Sequence, residues 1–186
     1  MKMSAPTKGF VISLIAVLAA FGVYFLFLAK KDSFVVDNPT TNTFYFKINN
    51  GAEKTITAGQ NFSIDLNRGK NNVQVFNAGK KLIYDSSFTV NKNRGLLNIA
   101  HQDYYINEQF YGYGLNKDSL IAARKATEID GKNYLNSPKR FNKLYTEDFY
   151  FNINEEYDQV IKNIQKIESR SKIFRKQDYY KEYYQF

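Results

Sequence analysis

The stretch FVISLIAVLAAFGVYFLFLA, residues 10–29, carries no charged side chain, and Ser13 and Tyr24 are its only polar groups. Such a run must be buried whole or placed in lipid. About twenty helical residues at about 1.5 Å each match the roughly 30 Å hydrocarbon core of a bilayer. Each Val, Ile, Leu or Phe favours insertion by about 0.3–0.6 kcal/mol, so the run as a whole gains several. A cleavable leader has a shorter apolar stretch, about 7–15 residues, that ends in a small-residue site. Here the small-residue candidate, Leu18 to Ala20, sits in mid-run with apolar residues beyond it, and no Cys follows to carry a lipid. The run is read as an uncleaved anchor that meets the lipid bilayer through residues 10–29.

Its flanks set the expected orientation. Lys2, Lys8 and the α-amino group precede the run, and Lys30 and Lys31 follow it, offset in part by Asp32. The positive-inside count is nearly balanced, but long domains translocate with little regard to charge. The short tail behaves as a leader's basic end, so the N-terminus is expected in the cytoplasm and residues 30–186 outside it. Usage rich in Asn, Lys, Ile, Tyr and Phe is that of an AT-rich bacterial genome. The expected address is the cell inner membrane, single-pass, with a periplasmic main domain.

After the anchor the hydrophobic period becomes two. TFYFKIN alternates Phe44, Phe46 and Ile48 against Tyr45, Lys47 and Asn49, as a half-buried strand requires. Asn49-Asn50-Gly51 is a hairpin signal, because these residues tolerate positive φ. Pro39 lacks an N–H and ends the short strand FVVD. Further short strands are predicted in EKTITA, NFSIDL, NVQVFN, LIYDSSFTV, LLNIA, DYYINEQFY, TEIDGKNYL and DFYFNIN, the last of these closing the set. Their spacing and Gly- and Asn-rich turns predict an antiparallel β-sandwich lying close to the membrane. Residues 115–127 read equally well as a short helix or a loop.

Between Thr55 and Val90, an x-I-x-L strand (Ile64 to Leu66), a Gly turn (Gly69), a V-x-V strand (Val73 to Val75) and a Gly79–Lys80 turn succeed one another. This pattern resembles small bacterial Ig-like domains of the PEGA and carboxypeptidase-regulatory type. The resemblance implies extracytoplasmic binding or scaffolding and carries no site residues.

From Asn154 the period becomes 3.6. Asn154 suits an N-cap, and Glu155 and Glu156 suit the positive end of a helix dipole. Tyr157, Val160, Ile161, Ile164, Ile167 and Phe174 fall on one face. Asp158–Lys162 and Glu168–Lys172 fall on the other as i,i+4 pairs. The domain reading is a tail and anchor over 1–32, a β domain over 33–153 and a C-terminal amphipathic helix over 154–186. Tyr157, Val160, Ile164, Ile167 and Phe174 are candidate partner-binding residues, for a protein partner or a second copy. Lys162, Gln165 and Lys172 should stay solvated.

Catalytic chemistry finds little here. With no Cys and a single His, His101, neither a thiolate site nor a His-rich metal site can form. No G-x-S-x-G motif supplies a nucleophile. The carboxylate pairs Glu147/Asp148 and Glu155/Glu156 are adjacent, which does not place two acids across a cleft. No catalytic residue, cofactor or metal is assigned. The net charge of +8 comes from dispersed residues and does not suggest nucleic acid. Tyr111 and Tyr113, flanking Gly112 in a predicted loop, are candidate glycan-binding residues, since exposed tyrosines stack on sugars. The expected function is non-enzymatic: a structural or accessory subunit of a cell-envelope assembly for secretion, motility or transport, with a cell-wall or surface glycan-binding module as the alternative.

Overall fold

A computed structural model describes residues 5–24, 33–111, 127–129, 132–134, 138–158 and 168–184. The chain divides into two compact units, residues 1–32 and 33–186. The first contains helix α1 (Ala5–Val23), 19 residues, about 28 Å long. Its segment Pro6–Val23 is long and apolar enough to cross a membrane, and none of it is buried within the molecule.

The second unit is mainly β. In its first sheet, β1 (Ser33–Asp37) lies between β4 (Asn61–Ile64) and β7 (Arg94–Asn98), with β12 (Tyr145–Thr146) beyond β7. β1 runs antiparallel to β4 but parallel to β7, with Val35 opposite Leu96. This parallel pair departs from the all-antiparallel expectation. Parallel neighbours need a long crossover, and here the intervening strands supply it. The sheet is apolar on both faces, so FVV does not alternate. Phe34, Val36 and Leu97 join one buried cluster, and Val35 and Leu96 join another.

The second sheet has the order β3 (Lys54–Ile56), β2 (Phe44–Ile48), β5 (Gly69–Phe76), β6 (Leu82–Val90), all antiparallel. Its Phe46, Ile56, Val73, Val75, Phe88 and Val90 complete the first cluster. Phe46 is fully buried, with Phe44 and Ile48 half-buried against the same cluster, as the alternation predicts. Asn49 and Asn50 turn the β2–β3 hairpin at φ 50° and 59°, in the left-handed region that Asn tolerates best among residues with a Cβ.

The third sheet is β11 (Lys139–Phe141), β8 (Tyr104–Tyr111), β13 (Glu168–Arg175). Tyr104 and Ile106 of β8 and Ile173 of β13 face the second cluster with Val35, Leu96 and Phe149. Tyr105 and Phe174 point the other way, against Tyr179 of helix α2 (Lys176–Tyr183). β9 (Thr127–Ile129) and β10 (Lys132–Tyr134) pair antiparallel within TEIDGKNYL.

Three expectations change. The C-terminal helix is present but begins at Lys176, and residues 168–175 are a strand paired along its length with β8. Because β13 buries Ile173 on one face and Lys172 and Phe174 on the other, its apolar residues show no period of two. DFYFNIN is not a strand. Phe149 and Phe151 are both buried, and Phe151 makes one parallel bridge to Lys172. Tyr150 and Phe151 donate their N–H groups to the Ser171 carbonyl at 2.8 and 2.9 Å. Lys172, expected in solvent, is buried and paired with Glu156 at 3.1 Å.

Candidate functional site

The site forms where β13 runs into α2. Arg175 ends the strand and caps the helix from an extended conformation, without a side-chain cap bond. Its guanidinium turns instead to Asp37, at the end of β1, which is fully buried. Nε lies 3.0 and 3.2 Å from the two carboxylate oxygens, and Nη2 makes a further short contact. Nη2 also donates to the Gly59 carbonyl at 2.9 Å. Tyr104 donates its hydroxyl to Asp37 at 2.5 Å. A buried carboxylate is tolerated only when paired and hydrogen-bonded, and these two partners meet that need. Burial, then the Asp37 charge, pushes the Tyr104 phenol far above its ordinary range.

Beyond this clamp α2 settles on aromatic rings. Tyr179 is fully buried, with its ring 5.4 Å from Tyr105, 5.8 Å from Phe174 and 4.9 Å from Tyr183. Polar tips are tied in as well. Tyr157 donates to the Asn107 carbonyl at 2.9 Å, and Asn107 Nδ2 donates to the Tyr183 hydroxyl at 3.0 Å. Asn107 Oδ1 is buried without a hydrogen-bond partner. Burial raises the phenols of Tyr157, Tyr179 and Tyr183 above the usual 10, so they remain neutral donors at ordinary pH.

Against this wall opens a cleft of about 800 Å³, lined by Ile153, Glu156, Lys172, Phe174, Tyr180 and residues of α2 including Asp178 and Lys181. Lys172 is its buried cation, 4.8 Å from the Phe174 ring. Two acids and a second lysine on α2 leave the walls of mixed charge, with an aromatic floor.

Of the residues proposed from sequence, Phe174 lies in this site on β13, and Tyr157 supports it from the loop after residue 154. Val160, Ile164 and Ile167 lie outside the described residues, as do Lys162, Gln165 and Tyr113. Tyr111 is not in a loop. It ends β8, 2% exposed, with Arg170 over its ring and its hydroxyl 3.4 Å from the Asp158 carbonyl. It presents no open ring face to a sugar. Asp158, expected to pair with Lys162, makes an ion pair with Arg170. Sequence reading missed Lys172, Asp37 and Arg175 as site residues, since each is paired through the fold and not by local spacing.

The other singled-out groups hold structure. His101 occupies a turn at φ 49°, its ring 4.9 Å from Tyr84. Glu147 accepts bonds from the Asn91 and Lys92 N–H groups at 2.9 and 3.0 Å. Burial alone would raise its pKa, but these bonds outweigh it and hold the carboxyl below the ordinary range. Glu155 accepts from the Asn152 N–H at 2.7 Å and pairs with Arg94 at 3.2 Å. Among the described residues no group of three or more His, Cys, Asp or Glu converges as a metal site would. Comparison with protein families, curated proteins and solved structures finds no match.

Proposed function

We propose that this chain is a single-pass, membrane-anchored, non-enzymatic accessory subunit of a bacterial envelope assembly, and that the cleft between β13 and α2 receives a segment of a protein partner. In this reading α1 is the span, residues 30–186 are periplasmic, and the two four-stranded sheets are the leaves of an Ig-like sandwich. The observation that carries it is the cleft itself. Lys172, paired with Glu156, and Asp178 and Lys181 of α2 line it together with Phe174 and Tyr180. Walls of both signs over an aromatic floor suit a peptide that offers both charges and an apolar side chain. A uniformly charged polymer would meet repulsion from the lining groups of its own sign. Asp37, Glu147, Glu155 and Glu156 are each held by a structural partner, which supports a binding role over a catalytic one.

The direct test is capture of partners from membranes in mild detergent by wild type and by Lys181→Glu, which reverses one exposed charge of the cleft. Loss of a specific co-purifying protein, with the melting temperature unchanged, is the expected result. An unchanged set of captured proteins would remove the cleft from the partner interface.

A further inference from the structure

The second sheet carries an apolar row on its solvent face. Tyr45 on β2 lies opposite Phe76 on β5, and Phe76 lies opposite Leu82 on β6. Their neighbours Phe46 and Val75 face the buried cluster, so these three side chains face away from it. Beside Leu82 the register slips: Val75 pairs with Tyr84 while Phe76 pairs with Leu82, which leaves Ile83 as the extra residue of a bulge. Leu82 and Ile83 are 48% and 49% exposed. They are the exposed large aliphatic side chains among the described residues outside α1.

Cations surround this row. Lys47 Nζ stands 5.8 Å from the Phe76 ring, and Lys80 Nζ stands 3.8 Å from the Tyr45 ring. Lys81 is exposed next to Leu82. Two acids stand among them. Glu53 pairs with Lys80, and Asp85 accepts the side-chain amides of Asn72 and Gln74 at 2.6 and 2.8 Å. Glu53 offsets Lys80, which leaves Lys47 and Lys81 beside the carboxylate of Asp85. The exposed aliphatic pair with two lysines beside it suits an occupant that is apolar and anionic at once.

We propose that this face rests on the surface of an anionic bilayer, with Leu82 and Ile83 entering the headgroup region and Lys47 and Lys81 meeting lipid phosphates. Lysines suit such a boundary because their stems lie along apolar surface while the ammonium reaches the charged layer. Apolar insertion and electrostatic attraction then act together. The inference rests on the reading of α1 as a membrane anchor.

The absence of native cysteine permits a clean test. Full-length Ile83→Cys, labelled with a polarity-sensitive fluorophore, is reconstituted into vesicles of phosphatidylcholine alone or mixed with phosphatidylglycerol. Flotation first reports whether the chain is anchored. In the mixed vesicles the label should shift to the blue and be quenched by nitroxides carried on lipid. In neutral vesicles, and after Lys47→Glu with Lys81→Glu, that quenching should be lost. Gln177→Cys, exposed on α2, should stay water-like throughout. A chain that fails to float defeats the anchor reading and the proposal together. A chain that floats with a water-like label at position 83 defeats the proposal alone. A shifted label that lipid nitroxides do not quench means that protein covers the face, and likewise overturns it.

Discussion

Asp37 and Arg175 are 138 residues apart, yet their contact joins the first sheet to the start of α2. Removing one member strands the other. Asp37→Ala should cost about 3 kcal/mol, the low end for a broken buried pair, because Arg175 keeps a fifth of its side chain in solvent. Asp37→Leu with Arg175→Met should recover part of that loss. Urea unfolding of both variants checks the pair. Phe46 makes a second contrast. Phe46→Ala, at a fully buried position, should lose about 3–5 kcal/mol. Lys47→Ala, on the opposite face, should lose about 0.5 or less. Equal losses would mean that the strand's register is misassigned. Phe46 was legible in the sequence because alternation is a local property. Asp37 was not, since an acid before Asn38-Pro39 reads as an ordinary turn residue and its partner lies in another sheet.

At the scale of elements, α2 is held by phenols rather than by aliphatic side chains. Burial raises Tyr157, Tyr179 and Tyr183 above the unfolded value of 10. Below that value both states are protonated and the docking is fully present. Above it the unfolded chain releases protons that the folded chain retains, so stability falls as pH rises. The melting temperature should be flat from neutral pH to about 9 and drop beyond 10, and Tyr179→Phe should lessen the drop. A profile that Tyr179→Phe leaves unaltered would place the alkaline loss elsewhere. The strands β2, β5 and β6 could be read from the chain because each has one wet face and Gly- or Asn-rich turns. β13 could not, because both of its faces are covered. Its apolar residues then fit a helical period as well as any, and only pairing with β8 decides the matter. β11 and β12 are too short for any periodic signal.

For the whole molecule, the composition of residues 10–29 marked a helix long and apolar enough to cross a membrane, and the change of period after it marked the β-rich unit. The cleft was out of reach, since it is assembled from a loop, a strand and a helix whose spacing in sequence carries no pattern. Topology has its own test. Purified protein should retain Met1, and protease added outside should cut beyond Lys31 only once the outer barrier is opened. Digestion from the cytoplasmic side alone would reverse the orientation. The claim that the β13–α2 cleft holds a protein partner is tested most directly by a photoreactive side chain at Tyr180, on the cleft wall, irradiated in living cells. The expected result is one discrete protein adduct, absent when the same group replaces exposed Ser87 on β6. A glycan adduct, or no adduct at Tyr180, would contradict it.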